Sequence, residues 1–563
     1  MSHPHPHPTT GAVPAHDIVP VSLDMNEKDN ELVHHEHLQT AEEIHRTLSK
    51  GGVVQMRSRF DDLGIMQSLR RYKYITLVAM AAAFSASLDG YQINLNGGIV
   101  SNKGFIAVMT STPGKPITGT YVSAWGGIQS AGQTLGQIFL QYATDALGRK
   151  AALYILWVFL VASCIAESLA NHWWAWLLAK LFSGIGVGML QATLPVYLSE
   201  ISPTQLRGFL INAYTFWFCI GQLFASVALN RLNAKNPLDF RTAIYTQWGM
   251  IGLMIIIFFF LPESPWWLTS KGKLGRAAGM LSKYYGHLEG YNVQEEVAIM
   301  TATIEEERIV AKRDNQEGPF AVFQGTNLLR LFIAAWPKLI QQFVGLSVFN
   351  TYATYFFQLA GNKNPFTVTV ILSCVQLLSM LITCSLTDSI GRRPLTVYPY
   401  AVTVVSVLCL GIVGCFDYTS ASLGSLLIFF ACLATFSTTG ASAIGYAYAA
   451  EVPTQRLRAR TAGWGLALSN MIAIMFSFCT PLMLNGPQVH WNVRTGFFFA
   501  GTGAVATVVG WFILPEVARR SPAEIDEMFE KRINPRKFKG YVTEVQMNAS
   551  HRREEEATTA AAA

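Results

Sequence analysis

Two ionisable side chains stand inside long apolar stretches of this sequence. Asp89 sits in Ser85-Ala-Ser-Leu-Asp89-Gly-Tyr-Gln92, and Lys180 follows Trp176-Leu-Leu-Ala179. An ionisable group in an apolar span is costly and marks a function by default. A carboxylate and an ammonium at similar depth would pair, and Asp89 could then take up and release a proton while Lys180 tunes how readily it does so. The other reading leaves Asp89 as a cap at the water interface, with no ion coupled. A second group is uncharged. Gln341, Gln342, Ser347, Asn350 and Tyr352 crowd one apolar stretch, Trp217 and Gln222 another, and Tyr446 and Asn470 fall on two more. Amides and hydroxyls beside aromatic faces suit a ring of hydroxyls, each both donor and acceptor. Unpartnered amides are expensive in a lipid-crossing helix. They therefore read either as ligands in a water-filled path or as glue between helices. Spacing puts Trp217 and Gln222 within contact range on one helix.

A third group is charged and repeated. Asp145-x-x-Gly148-Arg149-Lys150 recurs as Asp388-x-x-Gly391-Arg392-Arg393. Glu200 with Arg207 recurs as Glu451 with Arg458, and Pro262-Glu263-Ser264 as Pro515-Glu516-Val517. Three matches in one order at a shared offset of about 250 residues point to two halves built on one plan, as parallel repeats do in carriers. Arg offers a planar fork to a carboxylate, so these acid–arginine pairs are expected to latch the two halves together. The alternative is that the basic residues only set topology.

The elements that must position these groups are membrane helices. Of 563 residues, 51% are hydrophobic and 14% charged, against roughly 25% charged in soluble domains. Apolar runs recur that are long enough to cross a hydrocarbon core of about 30 Å. We place twelve, at 74–98, 121–143, 151–170, 173–198, 209–231, 245–262, 331–358, 366–389, 395–416, 422–449, 458–483 and 494–514. The expected fold is an all-α integral membrane protein, twelve transmembrane helices in two six-helix pseudo-repeats. Expected segments are a disordered tail at 1–70, a bundle at 71–262, a polar helical linker at 263–330, a second bundle at 331–516 and a tail at 517–563. Arg70, Arg71, Arg149, Lys150, Arg207, Arg392, Arg393, Arg519 and Arg520 gather at one set of span ends. The positive-inside rule makes that side cytoplasmic, with both termini.

The net charge of +6 suits an anionic inner leaflet and asks for no nucleic acid. All eight cysteines fall inside expected spans and read as small buried hydrophobes. No zinc or disulfide spacing appears, and no cofactor is implied. The His-rich start reads as a solvated tail, and no cleavable signal peptide is expected. No nucleophile–base pattern or phosphate loop supports an enzyme.

Several motifs then carry a resemblance. Pro262-Glu263-Ser264-Pro265-Trp266-Trp267-Leu268, Pro195-Val-Tyr197-Leu-Ser199-Glu200, the doubled Asp-x-x-Gly-Arg element and Gln341-Gln342-x-x-Gly345 resemble the sugar porters of the major facilitator superfamily. The resemblance covers roughly 70 to 530. Trp266-Trp267, Tyr355-Phe356-Phe357 and Pro481-x-Met483-Leu484-Asn485 sharpen it toward the fungal α-glucoside (maltose) permeases. It implies the major facilitator fold, alternating access, a cytoplasmic helical linker and a plasma-membrane location. It also implies that Gln341 and Gln342 are substrate ligands. Departures stand beside it. Gln92 replaces the coupling Asp of proton-linked members, and Lys180 replaces an Arg. Thr215 and Ser347 stand where hexose carriers have Gln and Asn, and Tyr446 stands where they usually have Trp. The expected function is movement of a sugar, an α-glucoside foremost, by a monomer with or without a coupled proton. The competing readings are a related carrier for another polyhydroxy or metabolic solute, and last a transport-dead sensor.

Overall fold

A computed structural model describes residues 65–110, 116–203, 206–288, 291–316, 321–416, 421–454, 457–488, 490–518, 520 and 522–543. Of the tail expected at 1–70, residues 1–64 lie outside the described residues and the rest instead lies in the helix Ile65–Arg71. The end of the other tail at 544–563 and the side chains of Asp145, Asp388, Tyr446 and Arg458 also lie outside. The described residues are helical, without strands. A helix falls on each of the twelve expected spans. Among the described residues, nine helices are long and apolar enough to cross a membrane by length and composition. The others are the second span, Gly119–Leu147, and two spans that are broken.

The breaks fall in corresponding spans of the two repeats. Span one runs as Lys73–Ala83, turns at Phe84 and Ser85, and resumes as Ala86–Ile99. Tightened bonds mark the turn, Ser85 N–H to Ala82 O at 3.1 Å and Leu88 N–H to Ser85 O at 3.2 Å, as in a 3₁₀ turn. Span seven runs as Gly325–Phe343, turns at Gly345, widens through a π-type turn at Ser347–Thr351 and resumes as Ala353–Leu359. Gly345 has φ 89°, and a Cβ there would lie 2.9 Å from the Phe499 ring, so the turn has no room for a side chain.

Spans two and four pack backbone to backbone. A Cβ on Gly188 would come 2.1 Å from Gln133 O, which explains the apolar run broken by glycines at 184–188. Residues 265–305 form a compact unit of their own. Its helix Leu274–Tyr285 buries Leu274, Ala277, Met280, Leu281 and Tyr285 on one face, with Trp267 and Leu268 packed on Ala277. Residues 522–543, expected as tail, instead continue the fold. Ile525, Met528, Phe529 and Phe538 pack with Ile333, Val397 and Tyr448 in one apolar cluster. The cysteines correct another expectation. Cys164 and Cys219 are buried, but Cys374 and Cys415 are exposed, and Cys415 lies beyond the end of its span at Val413. A thiol is apolar enough to face lipid, so burial is not required of it.

Candidate functional site

The turn in span one places Asp89 in the first turn of the helix Ala86–Ile99. Asp89 is fully buried. Its carboxylate accepts from the Tyr214 hydroxyl at 2.5 Å and from Gln191 Nε2 at 3.1 and 3.2 Å. Tyr214 comes from span five, Arg207–Lys235, and Gln191 from span four, Trp173–Ile201. Both partners are neutral donors and both are half-buried.

Lys180 does not pair with Asp89. Its ammonium lies 2.9 Å from Glu167 Oε1, with both side chains wholly buried, and it also stands over the Trp176 ring at 4.6 Å. Glu167 closes span three, Arg149–Leu169, and Lys180 opens span four. The tight connection between these antiparallel helices brings the two side chains face to face, while Asp89 belongs to another helix crossing. The second Glu167 oxygen accepts from Gln247 Nε2 at 2.9 Å. Gln247 Oε1 accepts from Gln92, and Gln92 Oε1 accepts from the Ser183 hydroxyl at 3.1 Å. Gln92, at the position where the resemblance implies a carboxylate, thus serves this buried network as a neutral bridge. Sequence reasoning missed Glu167, although an acid near the end of an apolar run was signal enough.

The amides divide. Gln341 and Gln342 occupy the last turn before the span-seven break, half-buried, with no side-chain hydrogen bond among the described residues. Asn350 lies in the wide turn beyond, and its Oδ1 accepts from Gln222 Nε2 at 2.8 Å, across the two halves. The Gln222 Oε1 is buried and unpartnered. Trp217 does not join Gln222, because five residues turn a helix through more than a third of a circle. It packs edge-on against Phe84, at 5.2 Å, beside the span-one break. Its indole nitrogen is likewise buried without a partner. Asn470, on span eleven, donates to Gln137 of span two, and Gln137 Nε2 donates to Gln191 Oε1 at 3.1 Å. Neither Gln137 nor Gln191 was singled out from sequence.

Further contacts seam the halves together toward the end that carries Ser101, Ile117 and Asn485. Tyr355 donates to Ile117 O at 2.6 Å, Asn485 to the same oxygen at 3.3 Å and Gln358 to Ser101 O at 3.2 Å. At Gly97 the backbones come close: a Cβ would lie 1.4 Å from Thr351 O.

The charges at the opposite end are arranged differently from expectation. Arg149 pairs with Glu200 at 2.8 Å, and Arg392 with Glu451 at 3.1 Å. Each pair lies within one half, so these two contacts knit a half to itself. Glu200 engages Arg149, which follows Gly148 with its φ of 105° at the start of span three. Glu263 and Glu516, repeated in sequence but given no task there, cap these entries. Glu263 accepts from the Arg149 and Lys150 N–H groups at 2.9 and 3.1 Å. Glu516 accepts from those of Arg392 and Arg393 at 2.9 and 3.1 Å.

Two repeated bundles, each with one broken span, and polar groups buried along their shared seam define a multi-pass membrane carrier. The sequence profile of the family described as sugar (and other) transporter matches residues 78–529, and the chain belongs to that family. Among curated relatives, the general alpha-glucoside permease of Saccharomyces cerevisiae is 26% identical over 510 residues, covering 87% of this chain and 81% of the relative. The maltose permease MAL31 of the same yeast is 28% identical over 424 residues, or 73% of this chain and 67% of that one. The major facilitator-type transporter ecdD of Aspergillus rugulosus is 27% identical over 475 residues, or 80% and 87%. Among solved structures, the proton:xylose symporter XylE bound to 6-bromo-6-deoxy-D-glucose superposes with a TM-score of 0.64 at 20% identity, covering 82% of this chain and all of XylE. The inward-open form of XylE from E. coli gives 0.63 at 20% identity, over 80% and 99%. These structures establish the major facilitator fold for this chain.

Proposed function

We propose that this protein moves a sugar, an α-glucoside such as maltose, across the membrane by alternating access, with a proton carried at Asp89. The observation that carries the solute assignment is the pair of half-buried, unpartnered amides, Gln341 and Gln342, at the broken seventh span. Beside that break stands the amide bridge between Asn350 and Gln222. Such amides offer paired donors and acceptors to sugar hydroxyls. The similarity to yeast permeases named for alpha-glucosides and maltose supports the glucoside.

Asp89 suits the proton better than Glu167 does. Protonating Glu167 would leave the Lys180 ammonium as an unpaired buried cation. Protonating Asp89 leaves only neutral neighbours around a neutral acid. Lys180 accordingly serves as a structural counter-ion and not as the partner of the proton site. With the Gly148 end cytoplasmic, as the positive charges favour, the seam at the far end corresponds to an inward-facing carrier. Both termini and the linker at 263–330 then lie in the cytoplasm, between bundles at 71–262 and 331–516, with the monomer as the working unit in the plasma membrane. No enzymatic step enters this reading.

The test is uptake of radiolabelled maltose, glucose and sucrose by permease-deficient yeast expressing the chain, with and without an uncoupler. Maltose is expected to accumulate, and the uncoupler to abolish accumulation. Asp89→Asn is expected to keep exchange of labelled for unlabelled maltose and to lose concentration against a gradient. An Asp89→Asn carrier that still concentrates maltose would refute the proton site. Uptake of none of these sugars by protein shown to reach the surface would favour a different polyhydroxy or metabolic solute. The similarity to the Aspergillus transporter ecdD, whose name specifies no sugar, motivates that second reading.

A further inference from the structure

Four side chains from four spans form one directed chain of hydrogen bonds. Asn470 donates to Gln137, Gln137 to Gln191, and Gln191 to both oxygens of Asp89. The chain crosses from the second half of the protein, at Asn470, to the first. Its direction follows from chemistry. An ionised carboxylate accepts and cannot donate, so the Gln191 amide must turn its nitrogen toward Asp89. Its oxygen then faces Gln137, which must present nitrogen. The Gln137 oxygen in turn faces Asn470, which must also present nitrogen. Every orientation is fixed by the charge on Asp89.

We propose that Gln191 and Gln137 act as a polarity relay, through which protonation of Asp89 reverses the hydrogen-bonding face that Asn470 turns toward the transported solute. The proposal rests on Asp89 being the proton site. A proton from solution adds to the carboxylate oxygen that faces Gln191, while the Tyr214 hydroxyl continues to donate to Oδ2. The new O–H needs an acceptor, and Gln191 Oε1 becomes one by rotation of its amide. Gln191 nitrogen then faces Gln137, which turns its oxygen inward and its nitrogen toward Asn470. Asn470 accepts through Oδ1, and its whole NH₂ group is released. The deprotonated chain thus leaves Asn470 with a carbonyl oxygen and one N–H, and the protonated chain leaves it with two donors and one remaining lone pair.

No heavy atom need move far, because an amide keeps its shape on exchange of oxygen and nitrogen. Gln137, Gln191, Tyr214 and Asn470 are all half-buried, while Asp89 itself is fully buried. Tyr214 is the titratable group that touches Asp89. Span four adds the neutral Gln191, and span six brings Gln247 beside Gln92. The buried charges Lys180 and Glu167 pair with each other.

The relay makes proton and solute binding reciprocal, since each changes the affinity for the other by one factor. The test is maltose binding to the purified full-length protein at acid and neutral pH. The wild type is expected to bind tighter at acid pH by on the order of tenfold. Gln137→Met and Gln191→Met keep side-chain length but break the amide chain at separate points. Each is expected to bind maltose with an affinity that no longer follows pH, and either suffices if the other does not fold. Asp89→Asn is expected to be pH-insensitive as well. If Gln137→Met or Gln191→Met keeps the wild-type pH dependence while Asp89→Asn loses it, the relay is wrong and the proton site stands. If Asp89→Asn keeps the dependence, or folded wild-type protein does not bind maltose, the reading beneath the relay fails.

Discussion

At the scale of single residues, two buried acids with different company set the chemistry. Glu167 has a cation at 2.9 Å, and Asp89 has a tyrosine and an amide. Removing one member of a wholly buried ion pair leaves the other charge unsolvated. Lys180→Met and Glu167→Gln are therefore each expected to cost about 3–5 kcal/mol of stability. The double variant, with no charge left to strand, should be more stable than either single one. Thermal unfolding of the four proteins in detergent checks this, and additive losses would refute the pairing. Asp89 was visible in the sequence as a carboxylate among apolar residues, and so was Lys180. Their partners were not, because partnership is decided by which helices neighbour one another. Glu167 and Lys180 face each other across a short hairpin, a geometry that residue types alone do not disclose. Gln137 and Gln191 were unremarked for a related reason: an amide in a span earns notice only once its neighbours are known.

At the scale of elements, the repeat was legible and its work was not. Asp-x-x-Gly-Arg and Pro-Glu announced two related halves. The structure adds that Glu263 and Glu516 hold the first N–H groups of spans three and nine, while Arg149 and Arg392 reach acids in their own half. The contacts described lie within each half, at helix starts entered through Gly148 and Gly391 with φ 105° and 102°. A carboxylate at a helix N-terminus contributes about 0.3–1 kcal/mol, and up to roughly 2 in partly buried sites. Glu516→Gln should lower the unfolding free energy by about 1 kcal/mol on that basis, and Glu263→Gln by a similar amount, both read by chemical or thermal denaturation. No loss in either would show that the caps are incidental. The break in span seven could be suspected from Gly345. The break in span one has neither Gly nor Pro at Phe84-Ser85, so the apolar run read as one unbroken helix.

At the scale of the whole molecule, the halves meet along a seam that closes one end of the path. Length, hydropathy and repeat placed each expected span on a helix, because each must cover the same hydrocarbon thickness. The largest boundary error is at the seventh, which starts at Gly325 instead of 331. Which end stands closed is a property of packing between halves and leaves no local trace in sequence. Gly97 is a tight point of that seam, with a Cβ there 1.4 Å from Thr351 O. Gly97→Ala is expected to disfavour this closed seam and shift the population toward the opposite-facing state. A cysteine introduced near Ser101 should then react faster with an impermeant maleimide applied from the loop-110 side. Unchanged labelling would mean that the backbone yields locally and the seam survives.

The seam also makes the carrier unequal toward molecules that imitate its cargo but cannot be carried. A bulky glycoside analogue arriving at the loop-110 face meets hydrogen-bonded helix ends and not the amides. Its apparent affinity from that face is weakened by the fraction of time the seam stands open, whereas in the inward-facing reading proposed above entry from the Gly148 face does not wait on that opening. One compound would thus show two potencies, set by the side of the membrane from which it comes, with no difference in the groups that ultimately hold it.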